Sequence, residues 1–364
     1  MLNVKSVRSI FFSPTSTLTA FLLLFLTLSD LSHAEEKPPI STIAFGSCAK
    51  QDRPQPIWDA VVAAQPDLFL FIGDNIYGDT EDMEILKNKY EQLGRQTGYQ
   101  KLKNTCPILA TWDDHDYGGN DAGVEYPKKK ESQQTFLDFF GEPADSPRRK
   151  REGVYDAKVF GREGKRVQII LLDTRYFRSP LVRADRTSEP GEGDRGPYAP
   201  NRYPSATMLG RAQWAWLDQQ LQVPADIRVI ASSIQVIADD HGWEKWGNFP
   251  HERKHLFDLI AQTGAKGVIF ISGDRHSAEI SAINSDDIYT LYDITSSSLN
   301  APLKWRNELN RHRIGLKYFG PNFGVIMIGW EEENPTIRLQ VRGEKGKVVL
   351  QKRIRLSELQ RKGG

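Results

Sequence analysis

The chain has 364 residues, is 39% hydrophobic and carries 48 basic and 47 acidic residues, which gives a formal net charge of +1. This length suits one large domain or two small ones. The balanced charge gives no support to a nucleic-acid-binding footprint or a polybasic membrane surface, and the basic runs at 128–130 and 148–151 lie in polar stretches that we interpret as solvated loops.

The N-terminus has the features of a secretory signal peptide. Lys5 and Arg8 precede a short apolar run over 20–28, which is followed by small residues and then by a switch to charged residues. Such a pattern is typical of a leader that is cleaved during export. We therefore expect residues 1–34 to be removed and the protein to be periplasmic, secreted or held at the cell surface. An uncleaved N-terminal anchor is the alternative, although the run is short for a membrane span.

After this leader, short apolar runs alternate with segments of helical periodicity. The predicted strands are 42–45, 67–72, 107–112, 167–172, 227–232 and 268–271. The predicted helices are 57–64, 83–93, 131–140, 213–221 and 252–263. Because the strands are apolar throughout rather than alternating, they indicate sheets that helices bury on both faces. The fold class is therefore α/β.

The C-terminal part has a different pattern. Three predicted strands, 323–330, 336–342 and 348–355, are joined by short turns without intervening helices, which indicates an antiparallel meander. The segment 178–206 is rich in proline, glycine and charge, and we interpret it as a long loop that could form a lid. We expect the meander to belong to the same unit, so that residues 35–364 form a single domain.

Four of the predicted strands end in polar clusters: Gly-Ser-Cys at 46–48, Gly-Asp-Asn at 73–75, Asp-Asp-His-Asp at 113–116 and Gly-Asp-Arg-His at 273–276. The carboxyl ends of parallel strands meet in one crevice, where ligands bind. Carboxylates that meet in a low dielectric repel one another unless a cation lies among them. Carboxylate, imidazole and thiolate are also metal ligands. Each cluster alone could be an ordinary turn, but together the four predict a metal centre.

These motifs resemble those of a known family. FGSC, FIGDNIYGD, TWDDHD and SGDRHSAE are similar, in this order, to the motifs of the PhoD-type alkaline phosphatases, a branch of the calcineurin-like metallophosphatases. The segment HGWEKWGNFPHERKHL also resembles the aromatic segment that precedes the last metal strand in that family. The resemblance extends from about Thr42 to Gly329. It implies a four-layer sandwich, in which helices flank two β-sheets, with antiparallel strands at the C-terminus.

The resemblance also implies an activity. We expect an exported, metal-dependent hydrolase of phosphoric esters, a phosphomonoesterase or phosphodiesterase in which a metal-activated water or an oxo bridge attacks phosphorus in line. A phosphate ester would be the partner of the site. The cofactors implied are one Fe³⁺ with Ca²⁺ beside it, although zinc, manganese or a second iron would also suit these ligand types.

The metal ligands are carried over by position. The implied iron ligands are Cys48, Asp74, Tyr77 and His276. Asp74 would bridge to calcium, and the calcium side would be completed by Asp114, Asn120 and Asp274, with Asp113 as an alternative to Asp114. A tyrosine–iron(III) bond would give the protein colour.

The implied role of Cys48 bears on the only other cysteine. A sulfur that binds iron must be a free thiolate, so we expect no disulfide between Cys48 and Cys106. Cys106 is then expected to be a buried apolar residue.

Three further residues are candidates for contact with the substrate. His115 could protonate the leaving alcohol or contact the phosphate, and the alternative is that it is a further metal ligand. Arg275 lies between two predicted ligands and could stabilise the phosphoryl group, although a structural ion pair is equally consistent with its position. His241 is interpreted as a surface residue, with a substrate contact as the alternative.

Two other functions stay open. In a cysteine hydrolase, Cys48 would be the nucleophile and His115 or His276 the base, but the acidic residues would then have no role. A non-catalytic protein that binds calcium or phosphate would keep the ligands and show no turnover. A cysteine enzyme would keep its rate in a chelator and lose it on thiol alkylation, which separates it from a metal-dependent enzyme.

Overall fold

Two six-stranded mixed sheets form the centre of the structure, a computed structural model that describes residues 39–185, 196–284, 287–303 and 308–361. The strands are β1 (Thr42–Gly46), β2 (Leu68–Ile72), β3 (Ile108–Thr111), β4 (Asp156–Phe160), β5 (Val167–Leu171), β6 (Val182–Arg183), β7 (Tyr198–Ala199), β8 (Ile227–Ser232), β9 (Val268–Ser272), β10 (Ala278–Ile283), β11 (Leu291–Ser296), β12 (Asn322–Gly329), β13 (Thr336–Gly343) and β14 (Val348–Arg355). The helices are α1 (Ile57–Ala63), α2 (Met83–Arg95), α3 (Thr97–Lys103), α4 (Asp114–Tyr117), α5 (Lys129–Phe139), α6 (Pro147–Lys150), α7 (Gly210–Leu221) and α8 (Pro250–Thr263).

The first sheet has the order β14-β13-β12-β1-β2-β3. Strands β1, β2 and β3 are parallel, and β12, β13 and β14 form an antiparallel meander whose first strand pairs with β1. The second sheet has the order β10-β11-β9-β8-β5-β4, with four parallel strands in the middle and an antiparallel strand at each edge. The predicted α/β class, with two sheets and an antiparallel C-terminal meander, is confirmed.

Strand β2 shows why the strands are apolar throughout. Leu68, Leu70 and Ile72 lie in the core between the two sheets, whereas Phe69 and Phe71 point to the other side and pack with the helices there. Successive side chains of a strand point to opposite faces, so a sheet covered on both faces needs apolar residues at every position. Burial of each such side chain contributes roughly 1.5–3 kcal/mol. The four layers follow from this pattern.

Several elements were not predicted. They are the edge strand β4, the strands β10 and β11, and the short helices α3, α4 and α6. The predicted loop 178–206 contains a two-stranded ribbon, β6 with β7, and its residues 186–195 lie outside the described residues. Its role as a lid stays a prediction.

The predicted leader at 1–34 also lies outside the described residues, and the single domain over 35–364 stays a prediction. Within the described ranges, no helix has the length and apolar character needed to cross a membrane.

Gly324 provides a test of the packing between β12, the first strand of the meander, and β1, with which it pairs. It lies opposite Phe45 in the β1–β12 pairing, and a Cβ atom at this position would overlap the buried ring of Phe45. We expect Gly324→Ala to lower the free energy of unfolding by about 1–3 kcal/mol, because the ring can move only at the expense of the core. Urea unfolding measures the change.

Gly329→Ala, in the same strand, is the matched control. A Cβ atom there would meet the end of the exposed Glu332 side chain at 3.2 Å and the backbone oxygen of Thr336 at 3.5 Å, an ordinary van der Waals distance, so far less has to move than at Gly324. Equal destabilisation by the two substitutions would contradict the assigned contact with Phe45.

Candidate metal centre

The polar ends of four strands meet at one place between the sheets. Ligand atoms of Cys48, Asp74 and His276 lie within 4.8 Å of one another, and so do those of Asp74, Asp114 and His115. Asp74 belongs to both groups. The strand-end pattern therefore brings together residues as distant in the sequence as Cys48 and His276, and one carboxylate is shared between two potential ion sites.

The first group surrounds one oxygen of Asp74. The sulfur of Cys48 lies 3.3 Å from Asp74 Oδ2, and the hydroxyl of Tyr77 lies 3.4 Å from the same oxygen and 3.5 Å from His276 Nε2. The Nδ1–H of His276 donates to the carbonyl of Ala301 at 2.5 Å. Because this bond places the ring proton on Nδ1, Nε2 keeps its lone pair and faces the group. This is the tautomer in which Nε2 can bind a metal ion.

Asp74 provides the test of whether a metal ion fits. Its side chain is 1% exposed, and Oδ1 has no hydrogen-bond partner among the described residues. Burial raises the pKa of Asp74 well above its ordinary value; the charge of His115 opposes this effect and nearby carboxylates add to it. A buried carboxylate oxygen without a partner is costly, and a cation removes that cost. Thiolate, carboxylate, phenol and imidazole together suit a transition-metal ion, so the residues present fit one.

Both cysteines are free, and Cys106 is buried in the core on the helix side of the first sheet, as predicted. Cys48 is fully buried, and its sulfur lies 3.1 Å from Ser297 Oγ. Burial and the neighbouring Asp74 carboxylate raise the pKa of the Cys48 thiol. This is the opposite of what activates a cysteine nucleophile, whereas a bound metal ion would stabilise the thiolate.

The backbone is strained at four predicted ligands. Cys48, Asp74, Asp274 and His276 have φ angles of 58°, 50°, 65° and 54°, in the left-handed region that non-glycine residues rarely adopt. The conformation costs roughly 1–2 kcal/mol at each residue. Such strain clusters at functional sites, where the surrounding structure holds the side chains in place.

The three aspartates of the Asp-Asp-His-Asp motif have different surroundings. Asp113 is fully buried and accepts hydrogen bonds from Arg175 Nε and Ser233 Oγ, both at 2.6 Å. Asp114 lies with Asp74 in the second group. Asp114 accepts hydrogen bonds from the backbone amides of His115 and Asp121. The charges of His115 and Arg175 outweigh the effect of burial and hold the pKa of Asp114 below its ordinary value. Of the two alternatives, Asp114 is therefore the one placed among the potential ligands, and its role as a ligand stays a prediction.

Asp116 joins the ends of β2 and β3. Its two oxygens accept from the backbone amides of Asp74, Asn75 and Asp113 at 2.8–3.1 Å, and from the side-chain amide of Asn75 at 2.6 Å. Burial raises the pKa of Asp116 to about 7, although these donors stabilise its charge. The residue therefore fixes the position of Asp74 without lying among the ligands.

His115 is held from one side. Its Nδ1 lies 2.7 Å from Asp79 Oδ1, and its ring packs on the Tyr77 ring with centroids 4.2 Å apart. Burial lowers the pKa of His115, but the carboxylates of Asp114, Asp74 and Asp79 outweigh burial and raise it to about 11. The position beside Asp74 and Asp114 suits either of the predicted roles, and both stay predictions.

Arg275 lies in a buried ion-pair network. Its guanidinium is 3.0 Å from Asp274 Oδ2 and also pairs with Glu308, which accepts from Lys317 as well. Burial raises the pKa of Asp274 to about 6, with Arg275 opposing. The structural alternative for Arg275 has contacts in its support, and the catalytic role stays a prediction.

His241 and Asn120 were two further candidates. His241 is not on the surface as expected: it is 2% exposed and its Nε2 lies 2.9 Å from Gln235 Oε1. That expectation was wrong because a polar partner made burial possible. Asn120 is exposed, and the next residue, Asp121, is the one that lies in a group with Asp114 and Glu244. The ligand role of Asn120 stays a prediction.

Two buried residues near the site were not predicted from the sequence: the cation Arg175, and Glu244, which is one of the two anions that Arg175 pairs with. Glu244 is 1% exposed, accepts a hydrogen bond from Arg175 Nη1 at 2.7 Å and forms an ion pair with Arg178 Nε at 3.2 Å. Its other oxygen has no hydrogen-bond partner among the described residues. Arg175 therefore bridges Glu244 and Asp113. A signal existed for Arg175, because it follows the end of β5, but its neighbours do not look like a ligand motif. Glu244 lies between two tryptophans, a pattern that indicates burial but not a partner.

The chain is similar in sequence and in fold to several known proteins. A model described as "PhoD-like phosphatase" matches residues 43–344. Alkaline phosphatase D of Bacillus subtilis (strain 168) is 23% identical, over 72% of this chain and 49% of that protein, so the chain spans about half the length of this curated relative. The solved structure of PhoD superposes with a TM-score of 0.65 and 17% identity, over 90% of this chain and 73% of the other. The purple acid phosphatase PPD1 from yellow lupin (Lupinus luteus) superposes with a TM-score of 0.60 and 13% identity, over 88% and 54%. The structural likenesses show the fold alone.

Asp116 can be tested without reference to activity. In Asp116→Asn the side chain keeps one acceptor oxygen and turns an NH₂ group toward two of the four donors. We expect the free energy of unfolding to fall by about 1–3 kcal/mol for each donor left buried without an acceptor. Urea unfolding measures the loss.

Asp145→Asn makes the same chemical change at an exposed position and is the control. A stability of Asp116→Asn equal to that of the control would contradict the role given to Asp116.

Proposed function

Because the chain belongs to the PhoD-like phosphatase family, we propose that it is an exported, metal-dependent hydrolase of phosphoric esters. The observation that supports this most strongly is the position of Asp74. It is shared by two groups of potential ligands, it is buried, and one of its oxygens has no partner among the described residues. A carboxylate in this position suits a bridge between two metal ions better than any purely structural role.

In the proposed centre, iron(III) would be held by Cys48, Asp74, Tyr77 and His276. Calcium would be held by Asp74 together with Asp114, Asn120 and Asp274. The softer and aromatic donors favour iron, and the oxygen donors favour calcium. When bound, the two ions supply positive charge that binds the phosphoryl oxygens and activates water for in-line attack.

The protein supplies position and protons. Asp116 fixes the turn that carries Asp74, and Arg175 neutralises Asp113 and Glu244 so that these buried acids do not repel the substrate. His115, oriented by Asp79, holds a proton at the edge of the ligand group and gives it to the oxygen of the leaving alcohol. In this assignment Arg275 stabilises the site through Asp274.

The cysteine hydrolase has less support. Cys48 is fully buried beside a carboxylate, and both effects raise the pKa of its thiol. A nucleophilic cysteine needs the reverse, a cationic neighbour that lowers the pKa. A non-catalytic protein would bind the metal ions without hydrolysing an ester, so an activity assay distinguishes it from the proposed enzyme.

Export is part of the proposal. The basic residues, the apolar run and the small residues of the leader support cleavage before Glu35. We expect the intact mass of the protein recovered from outside the cytoplasm to correspond to a chain that begins at Glu35. A mass that still includes residues 1–34 would support the anchored alternative.

Metal content and activity test the proposed function directly. Purified protein should contain iron and calcium by elemental analysis, should be coloured by a tyrosine–iron(III) band, and should hydrolyse p-nitrophenyl phosphate, bis-p-nitrophenyl phosphate or both. Prolonged chelation should abolish hydrolysis, because the proposed nucleophile is a metal-activated water. Metal-loaded protein without hydrolysis of either ester would support the non-catalytic alternative, and a rate that survives chelation but not thiol alkylation would support the cysteine hydrolase.

The two free cysteines provide a matched pair of variants. We expect Cys48→Ser to lower the iron content and to reduce the rate by more than about 100-fold, because loss of an outer-shell partner alone costs about 10–100-fold and a direct ligand costs more. Cys106→Ser should keep iron, colour and rate, since Cys106 lies in the core away from the strand ends. Equal metal content in the two variants would contradict the ligand role of Cys48.

A further inference from the structure

Lys50 is a cation beside the candidate metal centre, and no anion among the described residues pairs with it. Its side chain is half-buried, and its ammonium lies over the ring of Tyr77, with Nζ 4.3 Å from the ring centroid. The ring contact is the one interaction of that ammonium with the described residues, since only the backbone of Lys50 takes part in hydrogen bonds. The charge is therefore uncompensated within the part of the chain that the structure describes.

Other cations close to the centre are already occupied. Arg175 and Arg178 pair with Glu244, and Arg275 pairs with Asp274 and Glu308. Lys89 donates to two backbone carbonyls at 2.8 and 2.9 Å. Lys50 differs from these residues because its ammonium is free to bind an anion that arrives from outside.

The backbone of Lys50 is fixed on both sides. Its amide donates to Asn300 Oδ1 at 2.7 Å, and its carbonyl accepts from Asn300 Nδ2 at 2.9 Å and from Gln55 Nε2 at 3.1 Å. These bonds tie the turn after β1 to the segment after β11. The side chain therefore starts from a defined point two residues after Cys48, and its four-carbon stem lets the ammonium move from the Tyr77 ring to a nearby anion.

The Tyr77 ring contacts two groups. The His115 ring packs on it with centroids 4.2 Å apart, and the ammonium of Lys50 lies over it, 4.3 Å from its centroid. The hydroxyl of the same tyrosine lies 3.4 Å from Asp74 Oδ2 and 3.5 Å from His276 Nε2. Lys50 and His115 are thus both linked to the ligand group through Tyr77. Asp79 holds His115, whereas no anion among the described residues pairs with the Lys50 ammonium.

We propose that the ammonium of Lys50 binds the phosphoryl group of the substrate and favours phosphomonoesters over phosphodiesters. This inference rests on the proposed function. A monoester dianion carries one more negative charge than a diester, so the attraction to a nearby ammonium is greater for the monoester. A half-buried position strengthens the attraction relative to a solvated lysine, because the dielectric around it is lower.

The test compares Lys50→Ala with Lys103→Ala. Lys103 is the matched control, because its ammonium also lies over a tyrosine ring, that of Tyr99, at 5.9 Å, but in helix α3 on the outside of the first sheet. We expect Lys50→Ala to raise the KM for p-nitrophenyl phosphate about tenfold, as for loss of a charged hydrogen bond, and the KM for the diester less. The kcat values, the iron content and the tyrosine–iron band should stay as in the wild type, and Lys50→Arg should retain most of the preference for the monoester.

Binding of inorganic phosphate, measured by calorimetry on metal-loaded protein, separates this inference from the proposed function. Weaker phosphate binding in Lys50→Ala than in Lys103→Ala supports the role of Lys50, even if the wild type hydrolyses neither ester. Absence of hydrolysis in the wild type would contradict the proposed function but not the role of Lys50. An active wild type whose KM values and phosphate affinity are unchanged in Lys50→Ala would overturn the inference and leave the function standing. A lower iron content or a shifted band, with both KM values unchanged, would assign Lys50 a structural role at Tyr77 and would also overturn it.

Discussion

Buried negative charge is the constraint on which the centre of this structure depends. Asp74, Asp113, Asp114, Asp116 and Glu244 are each at most 2% exposed and lie at or near the facing strand ends. An uncompensated buried carboxylate is costly, so each needs donors or a cation. Hydrogen bonds compensate Asp116, and Arg175 compensates Asp113 and Glu244. Asp113 and Glu244 also keep one oxygen each without a hydrogen-bond partner, but both are paired with Arg175. Asp74 has such an oxygen and no ion pair among the described residues, and the metal proposal rests on that difference.

The fold places this charge at the ends of the strands, where it does not interrupt the pairing of the sheets. Inside strands such as β2 and β9 the side chains are apolar and buried, and polar residues begin where these strands end. Left-handed backbone at Cys48, Asp74, Asp274 and His276 turns the chain sharply at these points, so that side chains from both sheets face one another. The strain is local, and the hydrogen bonds of Asp116 and of the Ala301 carbonyl help to hold it.

The elements that the sequence predicted well are those with one dominant signal. Apolar runs such as LFLFI identify strands, and the strand-end motifs identify Cys48, Asp74 and His276 as neighbours. The failures have a shared physical reason, which is a polar residue with a distant partner. Strands β10 and β11 carry the buried residues Glu279 and Asp293, which break the apolar pattern and are satisfied by Arg313 and by the amides of Val236 and Ile237. The bridge made by Arg175 could not be predicted because its partners, Asp113 and Glu244, lie 62 and 69 positions away in the sequence. His241 is the exception, since its partner Gln235 is only six positions away, but no sequence pattern links the two.

The position of β12 has a consequence for how the chain acquires its shape. Strand β1 lies between β2 and β12, so its hydrogen bonds are complete only when it has met a strand that begins at Asn322. A nascent chain that stops before Asn322 leaves one edge of β1 unpaired, and an unpaired edge can join the strands of other molecules. Contacts between such distant segments also slow folding. Assembly of the sheet that carries Cys48 and Asp74 must therefore wait until β12 is available, and the open edge of β1 is exposed to other chains during that interval.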